Sequence, residues 1–300
     1  MRITQQLMTD NAIKYMNENL NRLYDLQERA ASGKEFQRPS DSPSGFVASF
    51  NLRSTLSAST AYLDTIANTD SWMTTTDFSL NQAVQLAKRA ITLTQQGATD
   101  TVGDDQRSAY AAELDIILQQ VVNVANSTHE GKYIFAGFKT QNPPFTLVDS
   151  DSDGKYDSVS NTGGIDETIT RILSPGVSVS LNTDGQSTFS PLFQAIISAR
   201  DALQSNVITQ IQSALTPLED ALQKVNESMT TNGARQKQVR LAKDRVEKAQ
   251  VELKSMLSAK EDVNMTEALS YLQQQQTIYQ MVLEVGQRAI SAMSLFDLLS

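Results

Sequence analysis

Steps of four and three residues, alternating from Leu52, fall on Leu56, Ser59, Leu63, Ile66, Asp70, Met73, Asp77, Leu80, Val84, Ala87, Ile91 and Thr94. Only Ser59, Asp70, Asp77 and Thr94 interrupt an apolar seam that never slips register, and this predicts one long helix with a narrow stripe. Ser42-Pro43 supplies its start, with serine at the N-cap and proline at the first helical position, and Gly97 supplies its end. An earlier helix keeps the same spacing through Ile13, Met16, Leu20, Leu23 and Ala30, with Gln27 in the seam and Gly33 closing it. A third opens near Asp104 or Asp105 and carries Tyr110, Leu114, Ile117, Val121 and Val124, widened by Leu118 and Ala125. It fades near Gly131.

Between Gly131 and Pro191 the period changes to two. Tyr133-Ile134-Phe135, Phe145-Thr146-Leu147-Val148, Ile169-Thr170-Arg171-Ile172-Leu173 and Val177-Ser178-Val179-Ser180-Leu181 are β-branched or aromatic runs separated by turn clusters such as Asp153-Gly154 and Ser174-Pro175-Gly176. These predict an antiparallel β-rich insert.

Helical spacing then returns at Leu192, Ile196, Ala199 and Leu203, and starts afresh at Thr216-Pro217-Leu218-Glu219, a capping-box pattern around a proline. Leu218, Leu222, Val225 and Met229 set a stripe that Val239, Val246, Leu253 and Leu257 continue imperfectly. Asn232-Gly233 is a turn signal inside that run, and the helix is expected to pass through it, straight or kinked. The last segment runs Met265, Ala268, Leu272, Gln275, Tyr279, Val282, Gly286, Ala289, Met293 and Phe296, with Tyr271, Ile278, Val285, Ala292 and Leu299 widening the face. Gln275 and Gly286 weaken this seam, the glycine by about 1 kcal/mol against alanine, so the helix is marginal without neighbours.

The expected fold is therefore mainly α: an elongated, coiled-coil-like bundle formed by both chain ends, with a small β-rich insert at its tip. Residues 1–42 and 262–300 form the terminal helices, 43–130 and 192–261 the bundle core, and 131–191 the outward-facing insert. Apolar stripes that one monomer cannot cover point to self-association. The candidate assembly positions are Leu52, Leu56, Leu63, Ile66, Leu272, Tyr279, Val282, Met293 and Phe296.

Composition narrows the chemistry. The 300 residues include 13 glycines and 7 prolines, about half the usual shares, which suits long uninterrupted helices. The charge sum of 25 minus 34 gives −9, which argues against a phosphate-backbone binder or an anionic-membrane protein. Without cysteine there is no thiol nucleophile, disulfide or cysteine zinc site, and the single His129 removes any chemistry that needs two imidazoles. No apolar run reaches membrane-spanning length, and the N-terminal ten residues lack an apolar core and a small-residue cleavage site.

The candidate sites that remain each have a plain alternative. Asp149, Asp151, Asp153 and Asp157 around Gly154 resemble half a calcium loop, yet position twelve is Ser160 and the flanks read as strands, so a solvated hairpin turn is favoured. His129 could act as a base, but Ser127, Thr128 and Glu130 offer no readable relay. Asp70 and Asp77 could pair as carboxylates, although polar seam residues more often set register. Gln273-Gln274-Gln275-Gln276 fits the polar face of the last helix. Arg235, Lys237, Arg240, Lys243, Arg245 and Lys248 lack interleaved aromatics and fit a solvated face or an intersubunit salt-bridge strip better than a nucleic-acid site. No catalytic group, cofactor or resident metal is expected.

Several segments resemble the bacterial flagellin family. They are Met1-Arg2-Ile3-Thr4, Ala31-Ser32-Gly33-Lys34 leading to Arg38-Pro39-Ser40-Asp41-Ser42-Pro43, Ala125 through Thr140 followed by Pro144-Phe145, Asn232-Gly233-Ala234-Arg235-Gln236, Glu261 through Ala268, Tyr279-Gln280, and Ser294 through Leu299. Gly131-Lys132-Tyr133-Ile134-Phe135-Ala136-Gly137 with a nearby Pro-Phe is typical of the members that join hook to filament. Ser42 stands where the family commonly has aspartate, and serine caps a helix equally well. The resemblance implies a non-enzymatic structural subunit, secreted through the flagellar type III apparatus and placed at the hook–filament junction. It implies an inner coiled coil of terminal segments that order on assembly. The partners it implies are other copies of the chain, hook-associated protein 1 on the hook side, flagellin on the filament side and an export chaperone, with no nucleic acid and no membrane. A flagellin proper is the nearer alternative, and a secreted enzyme or ligand-binding protein the farther one.

Overall fold

The computed structural model describes the backbone of residues 2–150, 155–162 and 167–298, and side chains within those stretches at residues 7 and 10–288. The chain divides into two compact units, Met1–Ala58 with Ala249–Ser300, and Ser59–Lys248.

The first unit is built on α1 (Arg2–Ser32) and α7 (Met265–Leu298), which pack against each other. α1 stops where Gly33 turns left-handed at φ 69° and returns its N–H to the Arg29 carbonyl at 2.9 Å. The row that α1 turns inward is Ala12, Met16, Asn19, Leu23, Leu26 and Ala30, whereas Ile13 and Gln27 are exposed. Met16, Leu20, Leu23 and Ala30 of the expected stripe are thus kept inward, and Ala12, Asn19 and Leu26 take the places of Ile13 and Gln27 beside them. α2 (Pro43–Gly97) begins as its cap signal predicts. Ser42 Oγ accepts the Gly45 N–H at 3.3 Å, and the Phe46 N–H bonds the Ser42 carbonyl at 2.8 Å.

The second unit contains the rest of α2, α3 (Asp104–Ala125), α4 (Gly185–Ser205), α5 (Ile208–Ser213) and α6 (Leu215–Glu261) up to Lys248. From Ile66 onward α2 buries more than its seam. Thr69, Trp72, Thr76, Ala83, Ala90 and Leu93 form a second buried row beside Met73, Leu80, Val84 and Ala87. One neighbour would need only the seam, and two rows suit a helix with neighbours on both flanks. The main core joins α2 to α3, α4 and the Leu218, Ala221 and Val225 face of α6, and a smaller cluster joins Ile66 and Met73 to Val239, Ala242 and Val246. Thr69, Thr76 and Thr94 enter this core by returning their hydroxyl protons to carbonyls four residues back, at 2.7, 3.0 and 2.8 Å.

The β-rich region forms three antiparallel hairpins among the described residues. They are β1 (Thr128–His129) with β2 (Lys132–Tyr133), β3 (Phe145–Val148) with β4 (Ser158–Asn161), and β5 (Thr170–Ser174) with β6 (Val177–Ser180). β4 is too polar to stand out in the sequence. The expected Tyr133-Ile134-Phe135 strand ends at Tyr133, and Ile134, Phe135 and Ala136 instead plug the core. Phe135 meets Phe189 edge-on at 4.8 Å and Phe145 meets Phe193 at 5.1 Å, so the region is anchored on α4 by aromatic contacts.

α4 corrects the 131–191 boundary. It begins at Gly185, capped by the Asp184 carboxylate on the N–H groups of Gln186 and Ser187, and Pro191 lies inside it. A Cβ at Gly185 would stand 2.5 Å from the Phe135 carbonyl oxygen, so this helix start accepts only glycine without a backbone shift. α6 starts at Leu215, which places Thr216 inside the first turn rather than at its cap. It continues through Asn232-Gly233 without a break. Asn232, only 1% exposed, donates from Nδ2 to the Met73 carbonyl of α2 at 3.0 Å. A turn-forming residue is held in helix by a partner 159 positions away.

Candidate assembly interface

The terminal helix pair shows how the proposed seam is built. On α7, Ala268 and Gln275 are buried and Leu272, Tyr279, Val282 and Gly286 are half-buried, while Tyr271 and Val285 of the widened face stay exposed. Gln275, which weakens the seam by pattern, is matched across the pair. Its Nε2 donates to Asn19 Oδ1 at 3.0 Å and to the Asn19 carbonyl at 3.3 Å, and Asn19 Nδ2 donates to the Tyr15 carbonyl at 2.7 Å. An apolar cleft of about 550 Å³ runs beside this layer, between Ala12, Tyr15 and Asn19 of α1 and Ile278, Val282 and Val285 of α7. The packed seam therefore leaves apolar surface uncovered, with Tyr15, Met281 and Val285 each more than half exposed. Met293 and Phe296 lie outside the described side chains.

A second construction closes the same unit. Residues 33–35 run antiparallel to residues 261–263, with the Glu35 N–H on the Glu261 carbonyl at 2.6 Å and the Val263 N–H on the Gly33 carbonyl at 2.9 Å. The Glu261 side chain, 4% exposed as a residue, accepts a forked pair of bonds from Arg53 on α2, Nε to Oε1 at 2.8 Å and Nη2 to Oε2 at 2.6 Å. Lys34 Nζ lies 3.3 Å from Glu261 Oε2 and 2.6 Å from Asp262 Oδ1. The Arg53 bonds hold the Glu261 carboxyl below its ordinary range despite burial, and Lys34 adds to the effect. Lys34, bonded first to Asp262, is raised in turn. One carboxylate thus ties the end of α1, the first turns of α2 and the α6–α7 connection.

On α2, Leu52, Leu56 and Leu63 are half-buried and Ile66 is buried, so every one of these assembly candidates faces inward to some degree. Asp70 and Asp77 are not brought together as a site. The Arg240 Nε lies 4.0 Å from Asp70 Oδ1, and Asp77 accepts from Asn81 Nδ2 at 3.3 Å. His129 Nδ1 sits 3.0 Å from Thr75 Oγ1 with the ring edge-on to Trp72, a packing role. Of the calcium-loop candidates, Asp151 and Asp153 lie outside the described residues, and Asp157 accepts the Ser150 N–H at 2.7 Å within the β3–β4 hairpin. Among the described residues no cluster of three or more carboxylates or imidazoles could hold a metal ion, and no helix is long and apolar enough to cross a membrane. In the basic run, Arg235 is drawn in to donate to the Asn182 carbonyl at 2.8 Å, and burial lowers its pKa.

Sequence reading missed Arg53, Glu261 and Asn19 as structural partners. The two ends of the Arg53–Glu261 pair are 208 residues apart, and nothing local links them.

These features describe the two ends of one chain folded together as a helix pair, tied by the Arg53–Glu261 fork and flanked by an apolar cleft. The chain belongs to the bacterial flagellin family, matching the bacterial flagellin N-terminal helical region over residues 3–140 and the C-terminal helical region over residues 215–299. It is 26% identical over 230 residues to flagellar hook-associated protein 3 of Escherichia coli (strain K12), covering 73% of this chain and 67% of that one. It is 29% identical over 177 residues to flagellar hook-associated protein 3 of Salmonella typhimurium, covering 58% of this chain and 54% of the relative, about half its length. Its fold is similar to that of a putative flagellar hook-associated protein from Vibrio parahaemolyticus, with a TM-score of 0.66 at 19% identity over 74% of this chain and 100% of that one.

Proposed function

We propose that the chain is the structural subunit that joins the flagellar hook to the filament. The observation that carries this reading is its similarity to two proteins named flagellar hook-associated protein 3, within a family matched at both ends of the chain. In this reading the protein is exported through the flagellar type III apparatus with the help of a chaperone. It contacts other copies of itself, hook-associated protein 1 below and flagellin above. The uncovered apolar cleft between α1 and α7 and the seam positions Leu272, Tyr279, Val282, Met293 and Phe296 supply the packing surface that orders on assembly.

Immunogold labelling of intact flagella, with antibody raised to residues 131–191, tests the location. A single band between hook and filament is expected. Label along the whole filament would make the chain a flagellin, and no label on flagella would overturn the reading. Met293→Ser with Phe296→Ser is expected to give a chain that is exported and soluble but no longer incorporated, measured as protein in the medium against protein in purified flagella.

A further inference from the structure

We propose that the clasp between residues 33–35 and 261–263 is the origin from which α1 and α7 zip together. A free copy of the chain then carries the base of the helix pair already formed and in register, and only the far turns are left to order on assembly. The first half of this inference concerns the chain by itself, and the second rests on the subunit reading above.

The clasp acts on the end of one helix and the start of the other. Its backbone bonds run from Gly33, which closes α1, to Val263, two residues before α7, whose first turn is marked by the Ala268 N–H on the Asn264 carbonyl at 2.9 Å. Around them, Asp262 accepts from both Lys34 Nζ and Ser258 Oγ of α6, and Glu261 accepts from Arg53 of α2. α1 and α7 therefore leave the clasp side by side, held by residues 228 positions apart in the chain. Burial in the pair follows distance from this point. Among the described side chains of α1 and α7 the buried ones are Leu23, Ala268 and Gln275, all within about four turns of the clasp. Farther out, every described side chain is half-buried or exposed, and the apolar cleft opens beside Tyr15, Met281 and Val285. The Gln275–Asn19 bonds mark the boundary, and Gly286 beyond it lowers helix propensity.

Starting a helix is disfavoured about a thousandfold, because three residues are fixed for one hydrogen bond, whereas each further residue adds a bond at an equilibrium constant near one. A clasp that fixes the last turn of α1 and the first turn of α7 supplies both nuclei at once. It also joins two segments distant in the chain, so the loop-closure entropy is already offset before the helices lengthen. Growth outward then depends on packing. Past Asn19 and Gln275 the chain's own packing thins, so those turns need a neighbour's surface to stay helical, and an arriving copy has only to extend a pair that is already aligned.

Hydrogen exchange resolved to single amides of the purified, unassembled chain tests this. Protection is expected to be at least tenfold higher over residues 22–33 and 268–276 than over 7–15 and 280–288. Equal protection along both helices, or none in either, would overturn the proposal. Two variants read the direction. Lys34→Ala with Arg53→Ala alters neither α1 nor α7, yet is expected to lower protection at least tenfold over 22–33 and 268–276, while the Leu118 and Ile196 amides of the second unit keep theirs. Met16→Gly with Val282→Gly, in the outer turns, is expected to leave 22–33 and 268–276 protected. Inner protection lost in the glycine variant, or kept in the alanine variant, would refute the clasp as origin. For the assembly half, the alanine variant is expected to be exported normally and incorporated into flagella at least tenfold less than the unaltered chain, and equal incorporation would overturn that half. Absence of the unaltered chain from flagella would instead overturn the subunit reading and leave the exchange result standing.

Discussion

Glu261→Gln probes the connection between the terminal helices and the start of α2. The substitution keeps the volume but replaces two acceptor oxygens by one, and turns an N–H group toward a cationic fork. A hydrogen bond to a charged group is worth about 1.5–3 kcal/mol where it is shielded, whereas an exposed ion pair contributes about 0–1 kcal/mol. Here the Glu261 side chain is 5% exposed but that of Arg53 is 61% exposed, so the guanidinium largely rehydrates when its partner is removed. The expected loss therefore lies between those limits, at about 1.5 kcal/mol, roughly a tenfold increase in local opening. Hydrogen exchange resolved to the Glu35 and Val263 amides measures it, because both N–H groups bond across the junction that Glu261 holds. Acid provides a second readout. The folded carboxyl titrates below its ordinary value of 4.5, so its contribution is fully present above that pH and disappears as pH falls through the lower folded value. The unaltered protein should lose Glu35 and Val263 protection in that acid window, and the glutamine variant should lack this step. Equal protection in the two proteins at neutral pH would refute the assignment of Glu261 as the tie.

Other substitutions separate packing from propensity. Gly233→Ala in α6 meets nothing within 4 Å and should raise stability by about 0.5–1 kcal/mol in urea unfolding, the ordinary helical gain. Gly185→Ala should lower it by about 1–3 kcal/mol, because the new methyl collides with the Phe135 carbonyl. Gln275→Ala removes the donor to Asn19 and should cost about 1 kcal/mol, read as faster exchange along α1 around Asn19. Asn232→Asp puts a charge against the Met73 carbonyl in a buried position and should cost about 3–5 kcal/mol at neutral pH, an effect that weakens as acid protonates the new carboxyl.

The parts of the fold that the sequence made legible are those where one local rule decides the outcome. The α2 seam survives unbroken because period and N-cap agree, and Ser42, Leu80, Val84 and Ala87 all do what their spacing requires. β3 appears where expected because Phe145-Thr146-Leu147-Val148 alternates cleanly, but its partner β4, Ser158-Val159-Ser160-Asn161, has almost no apolar residue to announce it. The unexpected start of α4 has the same explanation: Asp184 is a good cap, yet Pro191 downstream is a stronger local stop signal, and the Phe189 and Phe193 contacts with Phe135 and Phe145 outweigh it.

The polar residues in apolar seams were harder to read, and all for one physical reason. Gln275 and Asn232 each look like a flaw when only their own helix is considered, and Glu261, the last residue of α6, carries no local signal at all. Each is matched by a group distant in the chain: Asn19, the Met73 carbonyl and Arg53. A buried amide or carboxylate tolerates one partner geometry, whereas leucine against leucine tolerates several, so these positions can fix which turn of one helix meets which turn of another. If so, Asn19→Leu with Gln275→Leu should make the α1–α7 pair harder to unfold while letting it slide. Disulfides engineered at positions one turn out of register would then form as readily as those in register. Selective formation of the in-register disulfide in the leucine pair would show that the apolar seam alone sets the alignment.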